Sequence, residues 1–344
     1  MTENQLLRAI NHCIGNRISF AAYRFVGCEP KFIADDGCTE LIDDICFAIN
    51  RWNTKANDNI IVRHRLSMES VLNLDAQQVN EPELPEATER ARYLSKVSAL
   101  IDQLKQSGGK TVVARTALGT LPQSPGECFG ALMNAFPHNF CHIYYTPATG
   151  AWMGATPEVL LDTYEYNYTT MALAGTRPAD TEASWDEKNQ REQQMVTDFI
   201  VESLKPLSAK IEVSNTITLP SGKIEHICTR IKGRMIESVS PEQVLDRLSP
   251  TPAVAGLPRD ISLGRISAIE DFKRNCYSGY VAVMQGDSVS AWVNLRCLQF
   301  TADSRYCIYA GGGITALSNP ECEWEETGAK INSILSVLNK KSHK

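Results

Sequence analysis

The sequence predicts an α+β fold carried on antiparallel sheets, and three observations point to it. Strand-length segments follow one another in hairpin-sized steps more often than they alternate with helices. Helical periodicity is concentrated in three long segments, the last of them near the C-terminus. The 344 residues, 43% of them apolar, can bury one large core or two closely packed halves, and no internal repeat or low-complexity tract interrupts them.

Along the chain, the linker-like stretch is polar Asp75 to Glu86, which carries Pro82 and Pro85. It sets a short N-terminal lobe, 1–85, part of the same domain, apart from the main body at 86–344. From Thr88, a cap residue, to Ser107 the residues Tyr93, Val97, Leu100, Ile101 and Leu104 recur at helical spacing, and Gly108-Gly109 stops the helix. Lys110 to Arg115 reads as a strand. Phe140 to Thr146 and Ala151 to Ala155 read as a hairpin about Pro147 to Gly150, followed by a strand at Val159 to Asp162. Ser184 to Leu204 reads as a helix opened by the capping box Ser184-x-x-Glu187 and closed before Pro206. Further strands are expected at Ile224 to Met235, Gly279 to Gln285, Ala291 to Phe300 and Tyr306 to Tyr309. A last helix starts at Pro320 behind the cap Asn319.

Several function classes drop out early. With 34 basic residues scattered among 40 acidic ones and a net charge of −6, there is no basic stripe for a phosphate backbone, so nucleic acid is excluded as a partner. Met1-Thr2-Glu3-Asn4 carries no basic-then-apolar signal, and no window approaches the roughly 18 apolar residues that span a bilayer. The chain is therefore expected to be soluble and cytoplasmic, with no membrane partner. Eleven cysteines without a CxxC pair are expected to be reduced and core-filling. Gly109-Lys110-Thr111 resembles the end of a phosphate-binding loop, but the order is helix, loop, strand, the reverse of what such a loop requires. Gly311-Gly312-Gly313-Ile314-Thr315-Ala316 fits GxGxxA, yet only one helix follows, too little for a βαβ unit. His138 and His142 in an extended segment stand roughly 13 Å apart, which reads as ordinary strand histidines.

Carboxylates on apolar helix faces carry more information. On Ser184 to Leu204 the core face is marked by Met195, Val196, Phe199, Ile200 and Ser203, and it reaches back to Glu192. On the last helix, Ile334 and Val337 continue upstream through Lys330, Glu326 and Glu323. An ionised carboxylate buried alone costs several kcal/mol, so three facing inward with one lysine call for a cation or a strong hydrogen-bond network. Oxygen ligands suggest magnesium or calcium. The glycine run Gly311 to Gly313 lets backbone N–H groups approach an anionic ligand closely.

With those residues in view, the chain resembles the chorismate-utilising enzymes, among them anthranilate synthase component I, aminodeoxychorismate synthase component I, salicylate synthase and isochorismate synthase. The resemblance covers roughly 90–340 and runs in family order. Its segments are KTVVAR at 110, GATPEVLL at 154, ALAGTRP at 172, KNQREQQMV at 188, HICTRIKG at 226, PTPAVAGLPR at 250, RNCYSG at 274, VNLRCLQF at 293, and YAGGGI with PECEWEETGAK from 309. It implies one domain of two interleaved α/β halves, large antiparallel sheets forming a sandwich, and an active site between them, with 86–344 as the chorismate-binding catalytic part. It also implies Glu192, Glu323 and Glu326 as ligands of Mg2+. Gly175, Thr176, His226, Gly311 and Lys330 match positions around the ring and its carboxylate, with Gly312 and Tyr309 beside them. Tyr277 and Arg296 match those holding the enolpyruvyl carboxylate, a task suited to bidentate arginine.

Within that resemblance the chain is most similar to isochorismate synthases. Lys110 stands where they carry a lysine and where the ammonia-using members carry glutamine; it implies a base for water attack at C2. Glu158 implies the acid that protonates the departing C4 hydroxyl. Ala253 stands where pyruvate-releasing members often carry threonine. The implied substrate is chorismate and the implied product isochorismate, for menaquinone or siderophore biosynthesis, in a monomer needing no glutaminase subunit. Salicylate synthase, an amine-transferring synthase and a non-catalytic chorismate-binding protein remain as alternatives. Three sites depart from the family pattern: Ser249 replaces histidine, Asn189 replaces an acidic residue, and Tyr280-Val281-Ala282 replaces PVG.

Overall fold

In the computed structural model, which describes residues 2–79, 82–179, 181, 184–221 and 224–340, the strands form two antiparallel sheets. The first has the order β13 (Gly256–Leu257), β5 (Lys110–Thr120), β17 (Arg305–Thr315), β16 (Cys297–Phe300), β7 (Gly150–Thr156), β6 (Phe140–Thr146), β1 (Ser19–Arg24) and β2 (Lys31–Asp35). The second runs β10 (Ser208–Val213), β12 (Ile224–Met235), β9 (Asn167–Pro178), β8 (Val159–Tyr164), β15 (Ser288–Val293), β14 (Tyr280–Gln285), β3 (Cys46–Ile49) and β4 (Ile60–Arg63), with β11 (Ile217–Ser221) pairing β12. The first 85 residues contribute two strands to each sheet.

Strand side chains alternate between two cores. On β7, Ala151, Met153 and Ala155 join an outer core with helices α1 (Glu3–Asn16), α4 (Pro125–Ala135) and α8 (Pro320–Leu338), whereas Trp152 faces the other sheet. On β14, Tyr280 and Ala282 pack outward with α5 (Glu187–Leu204) and α6 (Pro241–Leu248), whereas Val281 points inward. Helix α3 (Arg90–Ser107) covers Val113 and Ile314. The layers are therefore helix, sheet, sheet, helix, with Tyr23, Phe47, Tyr144, Trp152 and Trp292 between the sheets. Most strands are buried on both faces, which is why they read as apolar runs rather than as clean alternation. Burying each large side chain contributes roughly 1.5–3 kcal/mol.

Local chemistry places the helices, with corrections to the expected caps. Asn319 caps α8 as its sequence predicts, accepting from Glu321 and Cys322 N–H. α5 starts at Glu187 behind Asp186, whose carboxylate accepts from Asn189 N–H, so Ser184 is not the cap. α3 starts behind Glu89; Thr88 instead exchanges hydrogen bonds with Thr116 of β5. Met195 is exposed, because the buried stripe of α5 runs through Gln193, Val196, Thr197 and Ile200. The expected strand from Ala291 to Phe300 is two, β15 and β16, lying in different sheets. The crossing is made at 294–296, where Arg296 adopts φ 51° and Asn294 is buried, its amide donating to Cys276 O at 2.9 Å. All cysteines are free and seven of the eleven are buried; Cys28, Cys38 and Cys322 are exposed.

Candidate active site

β5 and β17 pair along their whole length, Lys110 opposite Thr315, Val112 opposite Gly313 and Ala114 opposite Gly311. The glycine run leaves room that neighbouring side chains occupy. A Cβ on Gly313 would stand 2.6 Å from Lys110 Cε and 3.3 Å from Glu192 Oε1, and one on Gly312 would stand 2.9 Å from Glu323 Oε2. One on Gly311 would meet Tyr277 Oη at 3.0 Å. Because successive strand residues face opposite sides, Glu192 approaches β17 from the inner face and Glu323 from the outer. Only a ribbon without side chains separates them.

Lys110, buried at the start of β5, donates to Glu192 of α5. Glu158, after β7, is also buried, with Thr251 Oγ1 donating to its Oε1 at 3.5 Å. Burial raises the Glu158 carboxyl to about 8, against the opposing pull of the Lys110 charge and the Thr251 hydroxyl. His226 is held neutral: burial, then the charges of Arg296 and Lys330, lower it to about 3. Its Nδ1 lies 3.3 Å from Gly175 O and its Nε2 3.5 Å from Arg296 Nη2. A carbonyl only accepts and a guanidinium only donates, so Nδ1 carries the proton. Arg296 also donates to Ser333 Oγ at 3.0 Å, and burial lowers it to about 10, which leaves it cationic at neutral pH. Lys330 donates to Gly311 O at 2.9 Å and pairs with Glu326 at 2.8 Å. Tyr277 stacks on Tyr309, ring centroids 5.3 Å apart.

Of the residues named from sequence, Glu158, His226, Ala253, Tyr277, Arg296, Tyr309, Gly311 and Lys330 line one cavity. Lys110, Gly175, Glu192 and Gly312 stand immediately behind that lining, as the contacts above describe. The side chain of Thr176 lies outside the described residues; its backbone pairs with His226 in the β9–β12 ladder. Sequence reading missed Thr251, although it sits inside the quoted PTPAVAG segment, and it missed Val112, Leu173 and Leu295 of the lining. Asn189, one of the departures, lies against Gly175, where a Cβ would stand 3.1 Å from the Asn189 Cβ. A roomier hollow lies between 82–96 and 269–275, where Arg92 and Lys96 both pair with Asp271.

The three helix carboxylates are not equivalent. Glu323 is buried and accepts from Ser318 Oγ at 2.7 Å, Glu192 is 16% exposed, and Glu326 is 40% exposed at the edge of its helix face. Among the described residues no group of three or more acidic, histidine or cysteine side chains is close enough together to hold a metal. The donor chemistry still suits magnesium, which commonly takes one or two carboxylates and completes its shell with substrate and water.

The fold and this cavity define a class. The chain belongs to the chorismate binding enzyme family, whose model matches residues 35–339. Among curated relatives it is similar to isochorismate synthase MenF of Pasteurella multocida, 30% identical over 201 residues that make up 55% of this chain and 47% of that protein. It is similar also to a putative isochorismate synthase MenF of Mycobacterium tuberculosis, 30% identical over 274 residues, 72% of this chain and 73% of the relative. The chain thus spans about half the length of the Pasteurella relative that it matches. Among solved structures, MenF, the menaquinone-specific isochorismate synthase of Escherichia coli, shares the fold with a TM-score of 0.80 at 18% identity, covering 96% of this chain and 91% of that one.

Proposed function

We propose that this protein converts chorismate to isochorismate, with Lys110 as base and Glu158 as acid. The observation that carries the reading is a carboxyl kept protonated near neutrality, Glu158, facing the same cavity as the cations Arg296 and Lys330. Such a cavity favours a dianion, and a neutral carboxylic acid inside it can give up a proton. Curated relatives named isochorismate synthase, at about 30% identity, support the same reaction.

In the reaction, water attacks C2 of the ring while Lys110 accepts its proton. The C4 hydroxyl departs as water, taking the proton of Glu158. A base needs its lone pair, so Lys110 has to give up a proton before it can accept one from water, and Glu192, to which it donates, is the neighbouring group that can take it. Arg296, stacked Tyr277 and Lys330 orient the two substrate carboxylates, and neutral His226 passes the order of Gly175 O to the Arg296 guanidinium. Glu192, Glu323 and Glu326 would hold Mg2+, which when bound supplies positive charge for the ring carboxylate. The test is incubation of the purified chain with chorismate, with and without magnesium, and chromatographic resolution of the products. Magnesium-dependent isochorismate without pyruvate is expected. Salicylate with pyruvate, or an aminated product when ammonium is added, would replace this reading by one of its rivals, and no turnover at all would overturn it.

A further inference from the structure

We propose that the buried pair Glu270–Arg274 is a positioning device for the reaction, holding β5, which carries Lys110, against the 251–255 turn, which carries Ala253 and touches Glu158. The proposal rests on the function given above. Its starting point is a short strand. β13 has two residues and pairs with Lys110 and Thr111, so among the described residues no strand lies beside the edge of β5 from Val112 onward. A buried edge leaves peptide groups that need partners. Two side chains supply them: Arg274 Nη2 donates to Val112 O at 2.8 Å, and Glu270 Oε1 accepts from Ala114 N–H at 2.8 Å.

The same guanidinium reaches the second segment. Arg274 Nη1 donates to Val254 O at 2.8 Å, while its Nε and Nη2 donate to Glu270 at 2.8 and 2.6 Å. Val112 N–H donates to Ala255 O at 3.0 Å beside it. Both side chains are almost wholly buried, and the guanidinium lies 4.2 Å from the centre of the Trp52 ring. A buried ion pair is a weak way to gain stability, since apolar residues of similar volume often do as well. Only a planar fork can tie two carbonyls on separate segments to one carboxylate, and a lysine cannot reproduce it. The segments so tied carry Lys110 on one side and the Thr251 hydroxyl that meets Glu158 on the other. A misplacement of about 1 Å between reacting groups can cost about 10²-fold in rate.

The experiment uses two variants, Arg274→Lys, which keeps the charge and loses the fork, and the double variant Arg274→Met with Glu270→Gln, which leaves no unpaired buried charge. Turnover of chorismate is measured with amide hydrogen exchange across 110–115, 251–256 and, as a control, the β6–β7 hairpin. Both variants are expected to lower kcat by about tenfold or more with KM within about twofold, and to lose protection in the first two segments only. Wild-type kcat in a folded variant, or unchanged exchange in those segments, overturns the positioning role. A wild-type chain that leaves chorismate unchanged, while Arg274→Lys still loosens those amides, sinks the proposed function and the positioning role with it; the exchange data tell the two failures apart.

Discussion

At the inner end of the cavity Glu158 is sealed beneath Thr251, and burial raises its carboxyl to about 8; at the outer end Glu326 is 40% exposed and pairs with Lys330 one helical turn away. Both are glutamates, and both stand close to a lysine. The difference is desolvation, which penalises the ionised form only where water is excluded. One end of the cavity can therefore donate a proton at neutral pH, while the other keeps carboxylates suited to a cation. Lys110 is bonded to Glu192 and within electrostatic reach of Glu158.

The largest effects should come from the inner end. Glu158→Gln and Lys110→Ala are each expected to lower kcat by about 10²-fold or more with an unchanged circular dichroism spectrum. Wild-type rates in either variant would remove the acid and base assignments. At the outer end, Glu323→Gln is expected to weaken magnesium binding, read by titration calorimetry, by about 10–100-fold, as loss of an ordered metal-site partner commonly does. Glu326→Gln should weaken it by less, because a ligand whose side chain is 40% exposed acts through a charge that water already screens. Equal losses in the two variants would contradict the burial argument.

A pH series sharpens the comparison. Folding raises Glu158 from 4.5 to about 8, so the stability tied to its neutral form is fully present below 4.5 and is lost as pH rises through 8. The melting temperature of Glu158→Gln relative to the wild type should therefore climb between pH 5 and pH 8.5, and a flat difference would count against a buried, neutral Glu158. His226 works in the other sense. Its contribution is present above 6.5 and is lost as pH falls towards about 3, a slope the Glu158 variant should keep. The smallest effect belongs to Thr251→Val, which removes one donor to Glu158. It should lower turnover about threefold and move the alkaline limb of the rate profile to higher pH.

Much of the architecture was legible because the signals are local. The Asn319 cap, the stop at Gly108 and the β6–β7 hairpin each follow from the backbone preferences of a few neighbouring residues. Misreadings came where a distant partner decided the outcome. Thr88 has the chemistry of a cap, but Thr116 of β5 claims its hydroxyl. Ala291 to Phe300 is apolar enough to read as one strand, yet the chain passes from one sheet to the other between Asn294 and Arg296, where Arg296 takes a positive φ. Glu326 shares the helical period of Glu323 and still sits at the edge, since periodicity gives an angle and not the breadth of the neighbour that covers it.

The sequence by itself determined the antiparallel α+β class, the family, and the residue types that line the cavity, all of which depend on short-range pattern and on motifs that can be read in order. The tertiary structure alone decided that β13 would end after two residues, that Glu270 and Arg274 would take its place along β5, and that Glu158 would lose its water while Glu326 kept it. Those outcomes depend on which segments, 93 to 162 residues apart, exclude solvent from one another, and desolvation belongs to an assembled environment rather than to any residue in the chain.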